Sequence, residues 1–347
     1  MHKLYKAPFG IVMPALVLML MAAILLAACF GSAKIMPYES LRLILKKIPL
    51  VGNIISDGGI KEVYSKIIWN VRLPRIILAG LVGMGLSVVG AAFQGVLGNP
   101  LADPNILGVS SGAAAGATVA IVSGISFSFL GLGIIGIFAF IGALITVFMV
   151  YVLSFASGRS SDVRLILTGT AVSSLLSSFI SLVMAMRRDQ LEKVYLWTLG
   201  SFSAATWGKI AFLSIFIVIC SAVIIAFSRE LDILTLGADS ATSLGIPVKH
   251  VKKLIIVVSS LIVAACVSVS GIVGFIGLII PHCVRLLFGP SHKKLLPYSM
   301  AVGAIFTIIC DTIARTIAAP SEIPVGVITA VFGAPYFIFL LQKTRTK

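Results

Sequence analysis

Charged residues are scarce in this chain, and acidic residues are the scarcest. Its 347 residues include 12 Asp and Glu against 27 Lys and Arg, and charged residues make up 11% of the total. Soluble domains carry about 25% charged residues, so this composition excludes a chain with an extensive water-facing surface. A net charge of +15 would favour nucleic acid as the partner of a soluble protein. Here the basic residues lie between apolar runs, where they contact lipid headgroups, so no nucleic-acid partner is expected.

Patterns typical of metal, redox and nucleotide sites are also missing. The five cysteines lie in or beside apolar runs without a CxxC spacing, and the four histidines form no HExxH motif. The Gly208-Lys209 pair has Ser203 where a phosphate-binding loop has a glycine. We therefore expect no metal, no cofactor and no ATP hydrolysis by this chain itself.

Apolar sequence is present in excess: hydrophobic residues make up 59% of the chain, and the mean hydropathy is +1.12. A helix needs about 20 apolar residues to cross the hydrocarbon and satisfy its own backbone there. The sequence predicts an all-α polytopic membrane protein with about ten transmembrane helices in a single domain, 1–347. The predicted helices lie near 9–32, 73–97, 107–124, 129–156, 163–186, 208–227, 252–270, 273–288, 296–317 and 325–342. The run 273–288 is short and contains Pro281, so it is the one expected to be broken or partly re-entrant.

The distribution of basic residues predicts the orientation of the chain. Ten crossings place both termini on one face, which carries 14 Lys and Arg against 13 on the other. Eight of those 13 lie in the segment 34–75, and outside it the split is 14 to 5. Because basic residues of short loops stay in the cytoplasm, both termini are expected on the cytoplasmic side of a bacterial or archaeal cell membrane.

The first apolar run has a second interpretation. Lys3 and Lys6 precede it and it ends Leu-Ala-Ala-Cys at 26–29, which is typical of a secretory signal with a lipoprotein-type cleavage site. Such a signal normally delivers a soluble body, whereas nine more apolar segments follow here. We interpret the run as a retained first membrane helix.

Two polar stretches stand out between the apolar runs. The stretch 33–70 alternates leucine and isoleucine with basic residues, which suits a short interfacial helix on the outer face, either a docking surface or a simple connector. The stretch 228–251 is cytoplasmic under the predicted topology. Within it, residues 240–244 precede Gly245 and Pro247, a pattern that predicts a short helix with a Gly/Pro stop.

The fifth apolar run carries a stripe of hydroxyl side chains without charge. At 100° per residue these side chains share one side of the helix. They line a passage for a bulky solute or simply let helices pack closely, and both interpretations stay open. The stripe consists of Thr170, Ser173, Ser174, Ser177, Ser178 and Ser181. The main charges inside apolar runs are Asp311 and Arg315, four residues apart, which are placed to pair with each other.

Four stretches, taken in order, resemble the permease subunit of the ABC importers for iron-siderophore, haem and cobalamin, the FecCD-type family with ten crossings per subunit. The resemblance covers roughly residues 70 to 342. The stretches are RLPR at 72–75; GNPLADP at 98–104 with LGVSSG at 107–112; GFIGL at 274–278 with Pro281-His282 and Arg285-Leu286; and Asp311, Ala314-Arg315, Glu322, PVG at 324–326 and GAP at 333–335.

The resemblance implies partners and contact sites. It implies a second permease subunit, as a homodimer or heterodimer, two ATPase subunits, and an extracytoplasmic substrate-binding protein whose acidic residues dock on Arg72, Arg75 and Arg315. The ATPase contact of the family is a pair of short helices between the sixth and seventh crossings. The matching residues here are Leu236, Gly237, Ala238, Asp239, Ser240, Ala241, Thr242, Ser243, Leu244, Gly245, Ile246 and Pro247.

By the same resemblance, a cytoplasmic gate maps onto Asn99 and Leu101, and onto Ser161 and Asp162, although an acid at 162 departs from the hydroxyl expected by analogy. His282 could be taken for a metal ligand, but a packing role is favoured.

The predicted function is the permease of an ATP-driven importer for a bulky metal chelate, an iron-siderophore first. Cobalamin, haem or molybdate import and an ion-driven secondary carrier are the alternatives; a membrane enzyme would need clustered catalytic groups, which the sequence does not offer.

Overall fold

The computed structural model describes residues 8–31, 35–46, 62–125, 127–129, 131–155 and 162–344. These residues fold into a helical bundle with one two-stranded hairpin, β1 Ser128–Phe129 and β2 Leu132–Gly133. The helices are α1 Phe9–Cys29, α2 Pro37–Lys46, α3 Glu62–Ile67, α4 Leu73–Val96, α5 Val109–Ser123, α6 Ile134–Phe155, α7 Asp162–Met186, α8 Leu191–Thr198, α9 Trp207–Ala226, α10 Ser228–Leu234, α11 Ala238–Ser243, α12 Val248–Ser270, α13 Ile276–Phe288, α14 His292–Ala314 and α15 Val325–Thr344.

Ten of these helices coincide with the ten predicted apolar runs. Seven are long and apolar enough to cross a membrane, and α5, α13 and α15 are shorter apolar helices. One π-turn, Ile68–Arg72, joins α3 to α4 so that helix runs without interruption from Glu62 to Val96. The all-α membrane fold is therefore confirmed, and the remaining helices are short elements between the crossings.

Helix α4 is the centre of the bundle, because nearly all of its residues are buried. Two glycines let its backbone touch neighbouring backbones directly. A Cβ at Gly83 would collide with the Gly303 carbonyl of α14, and a Cβ at Gly90 would collide with the Gly277 carbonyl of α13. Small residues at such contacts are the usual means by which membrane helices pack closely.

The predicted break near Pro281 lies earlier in the chain than the proline suggested. Helix α13 continues through Pro281, whereas residues 271–275 between α12 and α13 are unwound. The backbone of Gly271 and Phe275 has positive φ, 70° and 69°, which ends α12 and turns the chain into α13. Pro281 lacks the N–H that would bond the Gly277 carbonyl, so the carbonyl against which Gly90 packs does not receive the usual helical bond from position 281.

The bundle has two ends, named here by α1. The proximal face is the end where α1 begins, and it carries α10, α11 and the start of α14. The distal face is the end where α1 terminates, and it carries the start of α4, the end of α14 and the segment 315–324. The short amphipathic helix predicted in 33–70 is observed in part as α2; residues 47–61 of that stretch lie outside the described residues.

Candidate functional site

A cluster of five charged side chains lies at the distal face and is called here the distal cluster: Arg72, Arg75, Asp311, Arg315 and Glu322. Its centre is the guanidinium of Arg75. Arg75 Nε donates to both carboxylate oxygens of Asp311 at 3.0 Å, and Nη2 donates to Oδ1 at 2.9 Å. Arg75 Nη1 donates to both oxygens of Glu322 at 2.8 Å. One buried arginine thus bridges α4, α14 and the segment after α14.

The other two arginines hold the end of α1. Arg72 Nη1 donates to the carbonyls of Ala28 at 2.7 Å and Cys29 at 3.2 Å, and Arg315 Nη2 donates to the carbonyl of Ala27. The last carbonyls of a helix lack intrahelical donors and carry its partial negative charge. The two guanidinium groups therefore satisfy the C-terminus of α1 and fasten it to α4 and α14.

The structure places all three predicted docking arginines together, but it buries them. Arg72, Arg75 and Arg315 have exposures of 4%, 7% and 6%. An external carboxylate would have to exchange with bonds that are already made, and their docking role stays a prediction. The expected pairing of Asp311 with Arg315 is secondary, since Arg315 Nε lies 3.8 Å from Asp311 while Arg75 makes the bidentate contact.

The predicted ATPase-coupling segment 236–247 protrudes at the proximal face. Helix α11 forms half of it, and Ala241 is its buried residue. The Ile246 amide donates to the Ala241 carbonyl at 3.1 Å. Gly245 has a φ of 83°, which closes the turn after α11. Leu236 and Leu244 are 66% and 63% exposed on either side of the helix. The ATPase-coupling role of this segment stays a prediction.

Sequence reasoning missed the contact that ties this segment to the bundle. Asp232 of α10 accepts a hydrogen bond from the His292 amide at 2.7 Å, and its Oδ1 lies 2.6 Å from His292 Nδ1. Ser291 Oγ donates to Oδ2 of the same carboxylate at 3.2 Å. Asp232 thereby caps the N-terminus of α14. Asp232 lies within the stretch 228–251, but its partners, about 60 positions later, give no local signal.

The carboxylate of Asp232 has a lowered pKa. Partial burial alone would raise it, but the hydrogen bonds from His292 and Ser291 outweigh burial and hold the pKa below its usual value. Because the pKa is lower in the folded state, ionised Asp232 stabilises the folded protein above the unfolded value of about 3.9. That contribution is lost as pH falls through the folded-state pKa.

Replacement of Asp232 by asparagine should lower the free energy of unfolding by about 1 kcal/mol at neutral pH, the loss of one partly exposed helix cap. The difference from wild type should shrink as pH falls below about 4, where the wild-type carboxylate becomes protonated. Thermal unfolding of the detergent-solubilised protein at neutral pH and below pH about 4 measures this difference. The control is Asp239→Asn, which removes an exposed carboxylate on α11. A difference that stays constant over this range would contradict the assignment.

The predicted gate loop lies next to the same contact. Asn99 Oδ1 accepts from the Leu101 amide at 2.9 Å, so the residues predicted as the gate form one tight turn. Gly98 and Pro100 of this loop line a cavity of about 420 Å³ together with Asp232 and His292. On the same cavity, Arg285 Nη1 donates to Gln94 Oε1 at 2.7 Å. Ser161 and the Asp162 side chain lie outside the described residues, so the second half of the gate stays a prediction.

The hydroxyl stripe lies on α7. Among the seven long apolar helices of the described chain, α7 has the smallest share of buried residues. Four of its hydroxyls donate to carbonyls three or four residues earlier in α7, at 2.9–3.0 Å: Thr170, Ser174, Ser178 and Ser181. Only Ser173 of the six is half-buried, and the others are exposed. Hydroxyls that already bond their own helix have little demand for another partner, so the stripe presents a weakly polar surface.

A larger cavity lies elsewhere, at the distal face. It has a volume of about 980 Å³ between the ends of α5, α6, α8, α9 and α12, with Lys193, Lys209 and Trp197 on its walls. None of the six stripe residues lines it. His282, considered as a metal ligand from the sequence, lies beside the ring of Tyr336 and the backbone of Pro100.

Comparison with known proteins decides the family. The model of the FecCD transport family matches residues 19–343. The chain belongs to the FecCD transport family. FecCD permeases are transport subunits, and separate ATPase partners hydrolyse ATP, so the predictions of family and of a chain without its own ATPase site are confirmed. Membership also implies a multi-pass membrane protein with ATPase and permease partners.

Individual FecCD relatives carry names with different cargoes. The chain is 40% identical over 83% of its length to the cobalamin import system permease protein of Halobacterium salinarum, of which the match covers 77%. It is 34% identical over 96% of its length to the iron(3+)-hydroxamate import system permease protein of Bacillus subtilis, of which 97% is covered. A solved structure described as an inward-facing metal-chelate type ABC transporter is 33% identical, with a TM-score of 0.82 over 96% of this chain and 100% of that one.

Proposed function

We propose that this FecCD permease imports a bulky metal chelate, an iron-siderophore, across the cytoplasmic membrane with both of its termini in the cytoplasm. The observation that carries the proposal is the match over the full length of a metal-chelate type transporter with a TM-score of 0.82. The hydroxamate permease, matched over 97% of its length, supports iron chelates in particular. In this orientation the proximal face is cytoplasmic and the distal face is extracytoplasmic.

The proximal face supports a route from ATP to the helices. In the proposed cycle, closure of the two ATPase subunits shifts the segment 236–247. The shift passes through α10 to the start of α14 by way of the Asp232–His292 contact. Gly98 and Pro100, the neighbours of Asn99 and Leu101 in the gate turn, line the cavity that Asp232 and His292 also line, so in the proposed cycle the gate and the coupling segment share one structural support. Rigid motion of this kind needs short, stiff connections, which the turn at Gly245 provides.

The hydroxyl stripe supports a pathway that lets the chelate slide. Helix α7 is mostly uncovered in the single chain, as expected for a helix that faces a second permease subunit. A second copy of α7 opposite the first would form a passage lined by hydroxyls without charge. Selectivity in this proposal belongs to the extracytoplasmic binding protein, which delivers the chelate to the distal face.

Transport into proteoliposomes tests the proposal. The permease, its ATPase subunits and the binding protein should together accumulate a radiolabelled ferric hydroxamate only when ATP is enclosed on the side of the ATPases. Labelled cobalamin, haem and molybdate are assayed in parallel, and preferred uptake of any of them would replace the iron chelate as cargo. Uptake driven by a proton or sodium gradient in vesicles that contain this chain alone would contradict the ATP-driven mechanism.

A further inference from the structure

The two carboxylates bound to Arg75 differ in their access to water. The side chain of Asp311 is 1% exposed, whereas the side chain of Glu322 is 43% exposed. Removal of the buried carboxylate would take the bidentate partner from Arg75 and the nearest carboxylate from Arg315, so Asp311 is costly to displace. Glu322 can instead turn into water at little cost, provided that another carboxylate takes its place on Arg75 Nη1.

The backbone that follows Glu322 is held by hydrogen bonds, so the side chain is the part that can move. The Ile323 amide donates to the Ala314 carbonyl at 3.0 Å, which closes the segment onto the end of α14. The amides of Val325 and Gly326 donate to the carbonyls of Gly200 and Leu199, each at 3.1 Å. Rotation of the Glu322 side chain would therefore open the Nη1 edge of Arg75 without displacing α15.

We propose that Glu322 is an internal competitor for the docking carboxylate: it occupies Arg75 until an acidic side chain of the extracytoplasmic binding protein replaces it. This inference rests on the proposed docking at the distal face. Docking is then an exchange of one carboxylate for another, in which the guanidinium is never left unpaired. The exchange accounts for a docking arginine that is both buried and already bonded, and it makes Glu322 a positioning residue that limits the affinity of the complex.

The first test needs no partner and uses phenylglyoxal, a reagent that modifies accessible arginine side chains. In the detergent-solubilised protein, Glu322→Gln should raise the rate at which Arg75 is modified several-fold, as measured by peptide mass spectrometry. The control is Glu192→Gln, which removes an exposed carboxylate of α8 at the same face. Equal rates in wild type and Glu322→Gln would overturn the proposal, since Glu322 would then not shield Arg75.

The second test measures docking of the binding protein that supports uptake in the proteoliposome assay. With the permease–ATPase complex held in nanodiscs, Glu322→Gln should tighten this docking about tenfold, because one competing charged hydrogen bond is removed. Glu192→Gln reports the general effect of losing one negative charge and should change the affinity less than twofold. Unchanged or weaker docking by Glu322→Gln would overturn the competitor role. A wild-type complex that binds no such protein would instead reject the proposed function itself.

Discussion

Replacement of Arg75 by leucine should lower the free energy of unfolding by about 3–5 kcal/mol, because it leaves the carboxylate of Asp311 buried without its bidentate partner. Asp311 is 1% exposed, and its next cation, Arg315 Nε, lies 3.8 Å away. A loss of this size is a large fraction of the total stability of a domain. Thermal unfolding in detergent, monitored by size-exclusion chromatography, should show a much lower midpoint temperature of unfolding or no folded protein.

The matched control is the double variant Arg75→Leu with Asp311→Leu. Two apolar side chains of similar size replace the buried pair, and such replacements are often neutral or stabilising. The double variant should therefore recover part of the stability that Arg75→Leu loses, the rest being the cost of Arg315 without its nearest carboxylate, and a double-mutant cycle gives the coupling between the two residues. Equal loss in the single and double variants would show that Arg75 stabilises the fold by some contact other than the one with Asp311.

Replacement of Leu244 by aspartate should leave the permease folded but weaken its binding of the ATPase subunits about 100-fold. Leu244 is 63% exposed on the segment 236–247, so a charge costs little in the single chain. At a contact surface, loss of a buried anchor residue typically costs about 2 kcal/mol or more, and an unpaired charge adds to that. Co-purification and a binding titration with the ATPase subunits measure the effect.

Leu191→Asp is the control for this prediction. Leu191 is 51% exposed on α8 at the opposite face, and the chemical change is the same. It should leave ATPase binding unchanged, and both variants should elute as folded protein. Normal ATPase binding by Leu244→Asp would place the coupling surface outside 236–247.

The ten apolar helices could be predicted from the sequence because each is a single apolar run, a local property, and seven of them are long enough to cross a membrane. The ends were less predictable. Helix α12 begins at Val248 rather than near 252, because the polar residues Lys249 and His250 before the predicted run are helical as well. Pro281 suggested a break within the run 273–288, but the chain unwinds between Gly271 and Phe275 instead. The left-handed backbone conformation of Phe275 depends on the packing of the helices around it, and no neighbouring residue in the sequence predicts it.

The residue types of the distal cluster were also visible in the sequence, but their environment was not. Arg75 and Asp311 are 236 positions apart, and only the packing of α4 on α14 brings them together. Arginine beside an apolar run is equally compatible with an exposed docking site and with a buried ion pair. The carbonyls of α1 that bind Arg72 and Arg315 are backbone groups and leave no trace in the sequence.

The glycine contacts of α4 have a consequence for how force travels through the permease. At Gly83 and Gly90 the backbone of α4 abuts that of α14 and α13, with no side chain between them to deform by changing rotamer. These three helices should therefore behave as one strut. A displacement of His292 would be transmitted along α14 to Asp311, about 28 Å away, with little loss. A conformational change at one face of the membrane would then be transmitted directly to the other face. A methyl group added at either glycine would separate the helices and weaken that transmission.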